Sequence, residues 1–453
     1  MLNSDLVDIG TAARIRSRAA TVCVIGLGYV GLPLAAEFAK SGLHVVGLDL
    51  DNARVSGINR GESYIPDVDS PLVAQLVGDG YLVATSDYDV LTRSDVVFIC
   101  VPTPFTRSKA PDISFIVKAA TGIGQRLHRG QLVVLQSTTH PGTTEEDVLP
   151  ILEKTSGLKA GVDFHLAFVP ERINPGDRTH TVATTPKVIG GLTPACSELT
   201  KILFSHISSS IMIVSSPRTA EMSKLLENIF RSVNISLVNE LAKLAERMGI
   251  DIWEVIEAAS TKPFGYMPFF PSAGVGGHCI PVDPYYLSWK AREYDFHTKF
   301  IELAAEVNQD MPYHVMDKIA TALNKHDRCL HGARVLILGV AFKKDIDDAR
   351  NSPAERVIEL LIKSGANVSY NDPYVPRYEL GRDAFLSEQV VLESVPLVAG
   401  TVAENDCVVI VSAHSSYDCQ WLVDHARVLV DTCNATRGVM RGREKVIRLG
   451  APS

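Results

Sequence analysis

From Thr21 onward, short apolar runs rich in β-branched residues recur along the chain: TVCVIG, HVVGLD, DVVFICVP, QLVVLQST, FHLAFVPE, KVIGG and IMIV. Stretches of helical character lie between them. Strands alternating with helices predict βαβ units and a parallel sheet. The pattern changes after Pro217. Between Arg218 and Met248, Met222, Leu225, Leu226, Ile229, Phe230, Val233, Leu237, Leu241 and Leu244 recur at helical spacing, and Gly249 stops the run. A second helix starts at Asp251, in DIWEVIEAAS. A loop rich in proline and glycine follows as far as Leu287, and another helical stretch continues through Gln309. From Ala333 the alternation returns. ARVLILGVAF, NVSYNDP, DCVVIVSA and ARVLVDTC read as strands, and SPAERVIELLIKSG reads as a helix capped by Ser352 and Pro353 and ended by Gly365. The expected class is α/β, with two doubly wound parallel-sheet domains joined by a central all-helical domain. The expected boundaries are an N-terminal extension over 1–20, a first α/β domain over 21–216, the helical domain over 217–310, a linker helix over 311–332 and a second α/β domain over 333–453.

Composition narrows the function classes. A length of 453 residues suits two or three domains, and 46% hydrophobic with 21% charged residues describes an ordinary globular chain. The net charge of −8, with no basic stripe, argues against a nucleic-acid partner. No apolar run reaches the roughly 18 residues that a membrane span needs. The first twenty residues lack the apolar centre of a secretory signal and read as an extension ahead of the fold. Eight cysteines, at 23, 100, 196, 279, 329, 407, 419 and 433, form no C-x-x-C pair, so no structural metal is expected. Cys23 and Cys100 sit in apolar strands and read as core residues. The pattern fits a reducing compartment, hence the cytoplasm.

Two motifs carry chemistry. GLGYVG places Gly26, Gly28 and Gly31 as G-x-G-x-x-G, with Tyr29 and Val30 inside the turn, after a strand and before a helix. Gly26 permits the tight turn, Gly28 lets the backbone approach a pyrophosphate, and Gly31 allows close helix–sheet packing. Asp49 ends the next strand, where a carboxylate binds ribose hydroxyls and repels a 2′-phosphate, so the expected cofactor is NAD. The plainer alternative is a tight turn beside an acidic surface residue. The second motif is GVGGHCIPVDPYYL. Gly276 and Gly277 leave the backbone uncovered next to Cys279, and Pro281 and Pro284 stiffen the loop; a rigid, open thiol suits covalent catalysis. Here the plainer alternative is a buried cysteine in a turn. Lys224 and Asn228 lie four apart on one helical face, with Glu221 and Arg231 extending the polar stripe, unless that stripe is only a solvated face. Glu171 follows a strand end in FVPERINPG, where open α/β sheets bind ligands, unless it is only a surface acid.

The chain resembles the UDP-glucose/GDP-mannose dehydrogenase family. The resemblance rests on GLGYVGLPLA, VPTP, STTHPGTTE, VPERINPG, EMSKLLEN, GVGGHCIPVDPYYL and LGVAFKKDIDDARNSP, and it spans nearly everything from Thr21 in the family's order. It implies Rossmann-like first and last domains, a dimerising central domain and a last domain that holds the nucleotide sugar. The implied reaction is oxidation of a sugar C6 alcohol to a carboxylate with two NAD, through a thiohemiacetal and then a thioester on Cys279. By the same resemblance Lys224 stabilises oxyanionic intermediates and Asn228 orients it and the sugar. Asp283 and Thr138 handle protons, and Glu171 assists thioester hydrolysis. Arg54, Thr103, Thr138 and Arg350 fall at NAD-contact positions. Arg172, Ile173, Arg231, Gly276, Phe342 and Lys343 fall on the UDP-sugar side. LGVAFKKD lacks the glycine turn, so the last domain should hold a diphosphate rather than a second dinucleotide. TKPFG and MPF ahead of GGHCIPVDP resemble members acting on UDP-N-acetylglucosamine. Members acting on N-acetylmannosamine tend to carry His and Arg where this chain has Ser260 and Pro263, and those acting on UDP-glucose usually have Ser in place of His278. The implied partners are a UDP-sugar and a second copy of the chain, as a homodimer or higher homo-oligomer. A two-electron hydroxy-acid dehydrogenase would leave the Cys279 loop and the last domain without a task. A non-catalytic sensor would have no use for the retained catalytic set.

Overall fold

The computed structural model describes residues 9–65, 67–106, 110–173, 181–277, 280–381, 385, 386 and 388–452. They fall into two compact units, Met1–Glu227 with Tyr285–Phe296, and Asn228–Pro284 with His297–Ser453.

The first unit holds an eight-stranded sheet. Its strands are β1 (Thr21–Ile25), β2 (His44–Leu48), β3 (Leu82–Thr85), β4 (Val96–Ile99), β5 (Leu132–Leu135), β6 (His165–Phe168), β7 (Lys187–Gly191) and β8 (Ile211–Ile213), in the order β3-β2-β1-β4-β5-β6-β7-β8. Every neighbouring pair is parallel except β6 with β7. The central strands are apolar on both faces because both are covered. Val22, Val24 and Phe98 enter one core, and Cys23, Ile25, Val97 and Ile99 enter the other. The fold starts earlier than expected, since Ile9–Arg16 forms a helix ahead of β1. Ala12 and Ile15 of this helix are buried, and Arg14 forms a two-pronged ion pair with Asp95 just before β4. A mixed polar and apolar stretch of eight residues gave little periodicity from which to foresee this.

The second unit joins the later turns of the long helix, Pro217–Met248, to the C-terminal sheet. That sheet has β9 (Arg334–Leu338), β10 (Asn367–Asn371), β13 (Cys407–Ile410), β14 (Leu429–Asp431) and β15 (Val446–Arg448), in the order β10-β9-β13-β14-β15 and wholly parallel. An antiparallel pair, β11 (Arg377–Leu380) and β12 (Val390–Glu393), stands beside it. The expected linker helix is instead the end of one continuous helix, Lys299–Asn324, with Pro312 inside it. The central helices pack on the sheet's end. Trp253 Nε1 donates to the Leu449 carbonyl at 2.8 Å, and the Ile252 amide donates to that of Gly450 at 2.8 Å. Among the described residues, no helix is long and apolar enough to cross a membrane.

Candidate active site

The glycine turn has the geometry that its spacing implies. Gly26 adopts a φ of +91°, and a Cβ there would lie 2.6 Å from the Cys100 carbonyl oxygen. A Cβ on Gly31 would lie 1.8 Å from the Gly26 oxygen, so the helix Gly31–Lys40 leaves the sheet in backbone contact with the turn. A Cβ on Gly28 would meet nothing within 4 Å, which is room for a ligand. Tyr29 and Val30 pack against the core, and Val30, at the helix start, offers no side-chain cap to the first-turn amides. Asp49 accepts the Leu27 amide at 2.8 Å and the Asp51 amide at 2.9 Å, with Arg54 Nη1 at 3.5 Å. An open glycine at the start of a helix and a fixed acid one strand away fit NAD, whose pyrophosphate would rest at Gly28 and whose ribose at Asp49. Thr103 Oγ1 donates to the Thr138 carbonyl at 2.7 Å, which ties together the loops after β4 and β5. The Tyr286 hydroxyl donates to the Thr103 carbonyl from the helix Asp283–Ala291.

The thiols near this turn are not nucleophiles. Burial pushes Cys23 up to about 12 and Cys100 well above the ordinary thiol value. Both belong to the core, as their strands suggested.

Glu171 is not a surface acid. Its Oε1 accepts the amides of Arg172 at 2.7 Å and Ile173 at 3.0 Å, and its Oε2 accepts from Gln136 Nε2 at 2.8 Å. Lys187, fully buried at the start of β7, places its ammonium 3.5 Å from Oε1. Sequence reading missed Lys187 and Gln136, since a charge that opens a strand gives no sign of being buried. Arg172 forks onto Glu227 of the long helix, at 3.2 and 2.7 Å, and donates to the Pro186 carbonyl. Lys224, one turn earlier on that helix, is 7% exposed, so its face is not solvated. Glu221 departs from expectation. It is not part of an open polar stripe but is buried, accepting the amides of Gly142 and Thr144 and the Thr144 hydroxyl at 2.6–2.9 Å. Burial pushes its carboxyl upward, and these three donors only partly offset that.

In the second unit, Asn228 Nδ2 donates to Asp283 Oδ2 at 2.6 Å, and both side chains are buried. Arg231, three residues further along the helix, is exposed. Gly276 lies under Phe342, where a Cβ would come within 2.7 Å of the Phe342 Cβ. Lys343 is half-buried in the same loop, and the Arg350 guanidinium is gripped by Asp348 at 2.6–3.1 Å. His278 and Cys279 lie outside the described residues. In the last domain, Asp372 at the end of β10 stands where Asp49 stands in the first. Its Oδ2 accepts the amides of Val340 and Ala341 and contacts His414 Nε2 at 3.0 Å. The acid thus holds its own turn through backbone amides, as Asp49 holds that of the first domain.

Three family profiles match along the chain. All belong to the UDP-glucose/GDP-mannose dehydrogenase family: its NAD-binding domain over residues 20–208, its central domain over 218–310 and its UDP-binding domain over 336–438. A UDP-N-acetyl-D-glucosamine 6-dehydrogenase from Pseudomonas aeruginosa is 41% identical over 355 residues, covering 78% of this chain and 83% of the relative. A UDP-N-acetyl-D-mannosamine dehydrogenase from Pyrococcus horikoshii is 39% identical over 356 residues, covering 78% and 84%. A solved structure of the UDP-D-ManNAc dehydrogenase from Pyrococcus horikoshii superposes with a TM-score of 0.84 at 32% identity, covering 95% of this chain and 99% of the other. That of a UDP-glucose dehydrogenase from Pyrobaculum islandicum gives 0.81 at 26% identity, covering 96% and 98%.

Proposed function

The chain belongs to the UDP-glucose/GDP-mannose dehydrogenase family and is an NAD-dependent nucleotide-sugar dehydrogenase, and from that premise we propose that it oxidises the C6 alcohol of UDP-N-acetyl-D-glucosamine to the carboxylate through a covalent link to Cys279. The observation that carries this reading is the burial of Lys224 and Asn228 on successive turns of one helix, with Asn228 bonded to buried Asp283. Charged and amide side chains are rarely buried without chemistry or a structural partner.

NAD, when bound at the glycine turn, supplies the hydride acceptor for both oxidations. The Cys279 thiolate adds to the C6 aldehyde carbon, and the oxygen takes up a proton to give a thiohemiacetal. Oxidation of that carbon gives the thioester. Water then adds to the carbonyl, the C–S bond breaks, and carboxylate and thiol are released. Lys224 offsets the negative charge that gathers on the oxygen at each addition. Asp283, oriented by Asn228, relays protons, with Thr138 assisting. Glu171, held rigid by its three donors, assists the hydrolytic step from a fixed position.

The wording around the cysteine loop and the P. aeruginosa relative support the gluco sugar. The P. horikoshii relative makes UDP-N-acetyl-D-mannosamine the second reading. The test is NADH production with UDP-N-acetylglucosamine, UDP-N-acetylmannosamine, UDP-glucose and GDP-mannose. Two NADH per sugar are expected, with the first substrate fastest. One NADH per sugar with free aldehyde accumulating rules out the thioester route, as does a Cys279→Ala variant that still forms acid at the native rate. A second copy of the chain is proposed to cover the exposed apolar stripe of the long helix, and the cytoplasm is the proposed compartment.

A further inference from the structure

The loop over residues 342–351 is pinned at Asp345 and closed on itself. The Asp345 amide donates to His414 Nδ1 at 2.9 Å, and the Asp345 carboxylate takes the Ser415 amide at 2.7 Å and its hydroxyl at 2.5 Å. His414, fully buried, meets Asp372 through its other ring nitrogen at 3.0 Å, which fixes its tautomer as an acceptor at Nδ1 and a donor at Nε2. Within the loop, the Phe342 amide donates to the Asp348 carbonyl at 3.0 Å, and just after it Ser352 caps the helix Pro353–Lys363.

This rigid loop also grips the glycine pair. The Gly277 amide donates to the Arg350 carbonyl at 3.0 Å, and Asn351 Nδ2 donates to the Gly277 carbonyl at 3.0 Å. The Asn351 side chain thus completes, with one backbone bond, a two-point clamp on a single residue, Gly277. Asn351 holds a left-handed φ of +51°, a conformation that asparagine tolerates better than most residues, and Gly277 holds +88°. The Phe342 ring closes the face, since a Cβ on Gly277 would lie 3.0–3.2 Å from it. Nothing in the sequence singled out Asn351, which reads there only as the residue before a helix cap.

We propose that Asn351 is a positioning residue, which couples the nucleotide-binding loop carrying Phe342 and Lys343 to the backbone of Gly277, two residues ahead of Cys279 in sequence. The inference rests on the reading of Lys343 as the nucleotide grip and of Cys279 as the nucleophile. Nucleotide bound at the loop then bears on the reactivity of the thiol through the backbone at Gly277.

The test uses the full-length protein as wild type, Asn351→Gly and Asn351→Asp. Asn351→Gly keeps the left-handed backbone and removes only the donor. Asn351→Asp keeps the shape and sets a carboxylate against the Gly277 carbonyl, and it carries the test if the glycine variant does not fold. Three quantities are read: UDP affinity by calorimetry, kcat and KM with the best sugar, and the alkylation rate of Cys279 by iodoacetamide, with and without UDP, from peptide masses. UDP is expected to change the alkylation rate in the wild type and not in either variant. UDP affinity should stay within about twofold, while kcat falls about tenfold or more, the scale on which small misplacements act. Wild-type kcat in both variants overturns the proposal. So does a wild-type alkylation rate indifferent to UDP, or a loss of UDP affinity as large as the loss of kcat. Failure of the underlying reading looks different, because the wild type then makes no NADH with any sugar, and the alkylation arm still reports the coupling.

Discussion

A methyl group added at Gly26 and one added at Gly28 should act on different things. At Gly26 it meets the Cys100 carbonyl oxygen in a backbone conformation that disfavours side chains. Gly26→Ala should therefore destabilise the first unit by about 2 kcal/mol, within the range for strain at a left-handed position. At Gly28 the methyl meets no protein atom. Gly28→Ala should leave stability within about 0.5 kcal/mol, as uncrowded substitutions do, and lower NAD affinity about tenfold, a loss of ~1.4 kcal/mol. Urea unfolding and NAD titration of both variants separate the two effects; equal loss of stability in both would show that the turn's openness at Gly28 is not real. A third substitution probes the buried ion pair. Lys187→Met leaves the Glu171 charge buried without its cation, and breaking such a pair by removing one member costs about 3 kcal/mol. A variant as stable as wild type in urea would remove that pair from the account. The glycine turn was legible in the sequence because each glycine answers a backbone demand with a fixed spacing. The Glu171 cage was not, because Gln136, Glu171 and Lys187 lie on three separate strand ends, and only the order of strands in the sheet brings them together.

The long helix and the C-terminal strand meet at Glu246, and this junction is electrostatic. Its carboxylate lies 3.0 Å from His314 Nε2 and 2.9 Å from Lys318 Nζ of the helix Lys299–Asn324, and it accepts the Gly450 amide at 2.6 Å. Burial pushes this carboxyl upward, but His314 and Lys318 beside it and the Gly450 amide outweigh that and hold Glu246 below its ordinary value of 4.5. A carboxyl lowered in the folded state adds stability that is present above the unfolded value and is lost as pH falls through the folded one. Glu246→Gln should therefore weaken the second unit by about 2 kcal/mol at neutral pH, the scale of hydrogen bonds to a charged group. The gap to wild type should narrow below a pH of about 4.5 and close with further acidification. A gap that stays constant from neutral to acid pH would mean that the charge is not what holds the junction. At this scale the strands and main helices follow from period and caps, as with Ser352 before Pro353–Lys363, which opens on a proline, and Asp251 before Ile252–Ser260. The helix Ile9–Arg16 and the β11–β12 pair were not foreseen, since both are short and owe their place to tertiary contacts such as Arg14 with Asp95.

For the molecule as a whole, the open question is what covers the long helix. Phe230, Leu237, Leu241, Leu244 and Met248 recur at spacings of three, four and seven residues, and each remains at least 40% exposed. The same periodicity that marked the helix in the sequence suggested a core face. It could not say whether that core lay within the chain or between two chains, because burial by a neighbour and burial by a partner leave the same pattern. Five large apolar side chains on one stripe, each worth about 1.5–3 kcal/mol when buried, supply enough driving force for self-association. In a symmetric pair, the stripe of one copy would meet the same stripe of the other, so one substitution changes both sides of the contact. Leu237→Asp combined with Leu241→Asp therefore places four new carboxylates in a patch that water must leave. Sedimentation equilibrium should give about twice the chain mass of 49.2 kDa for the wild type and a single chain for the double variant. Neither position lies among the site residues, so the monomeric variant should still bind UDP in its C-terminal domain, and that binding separates loss of pairing from loss of fold. A wild-type protein that sediments as one chain at micromolar concentration would show that the stripe serves something other than a second copy.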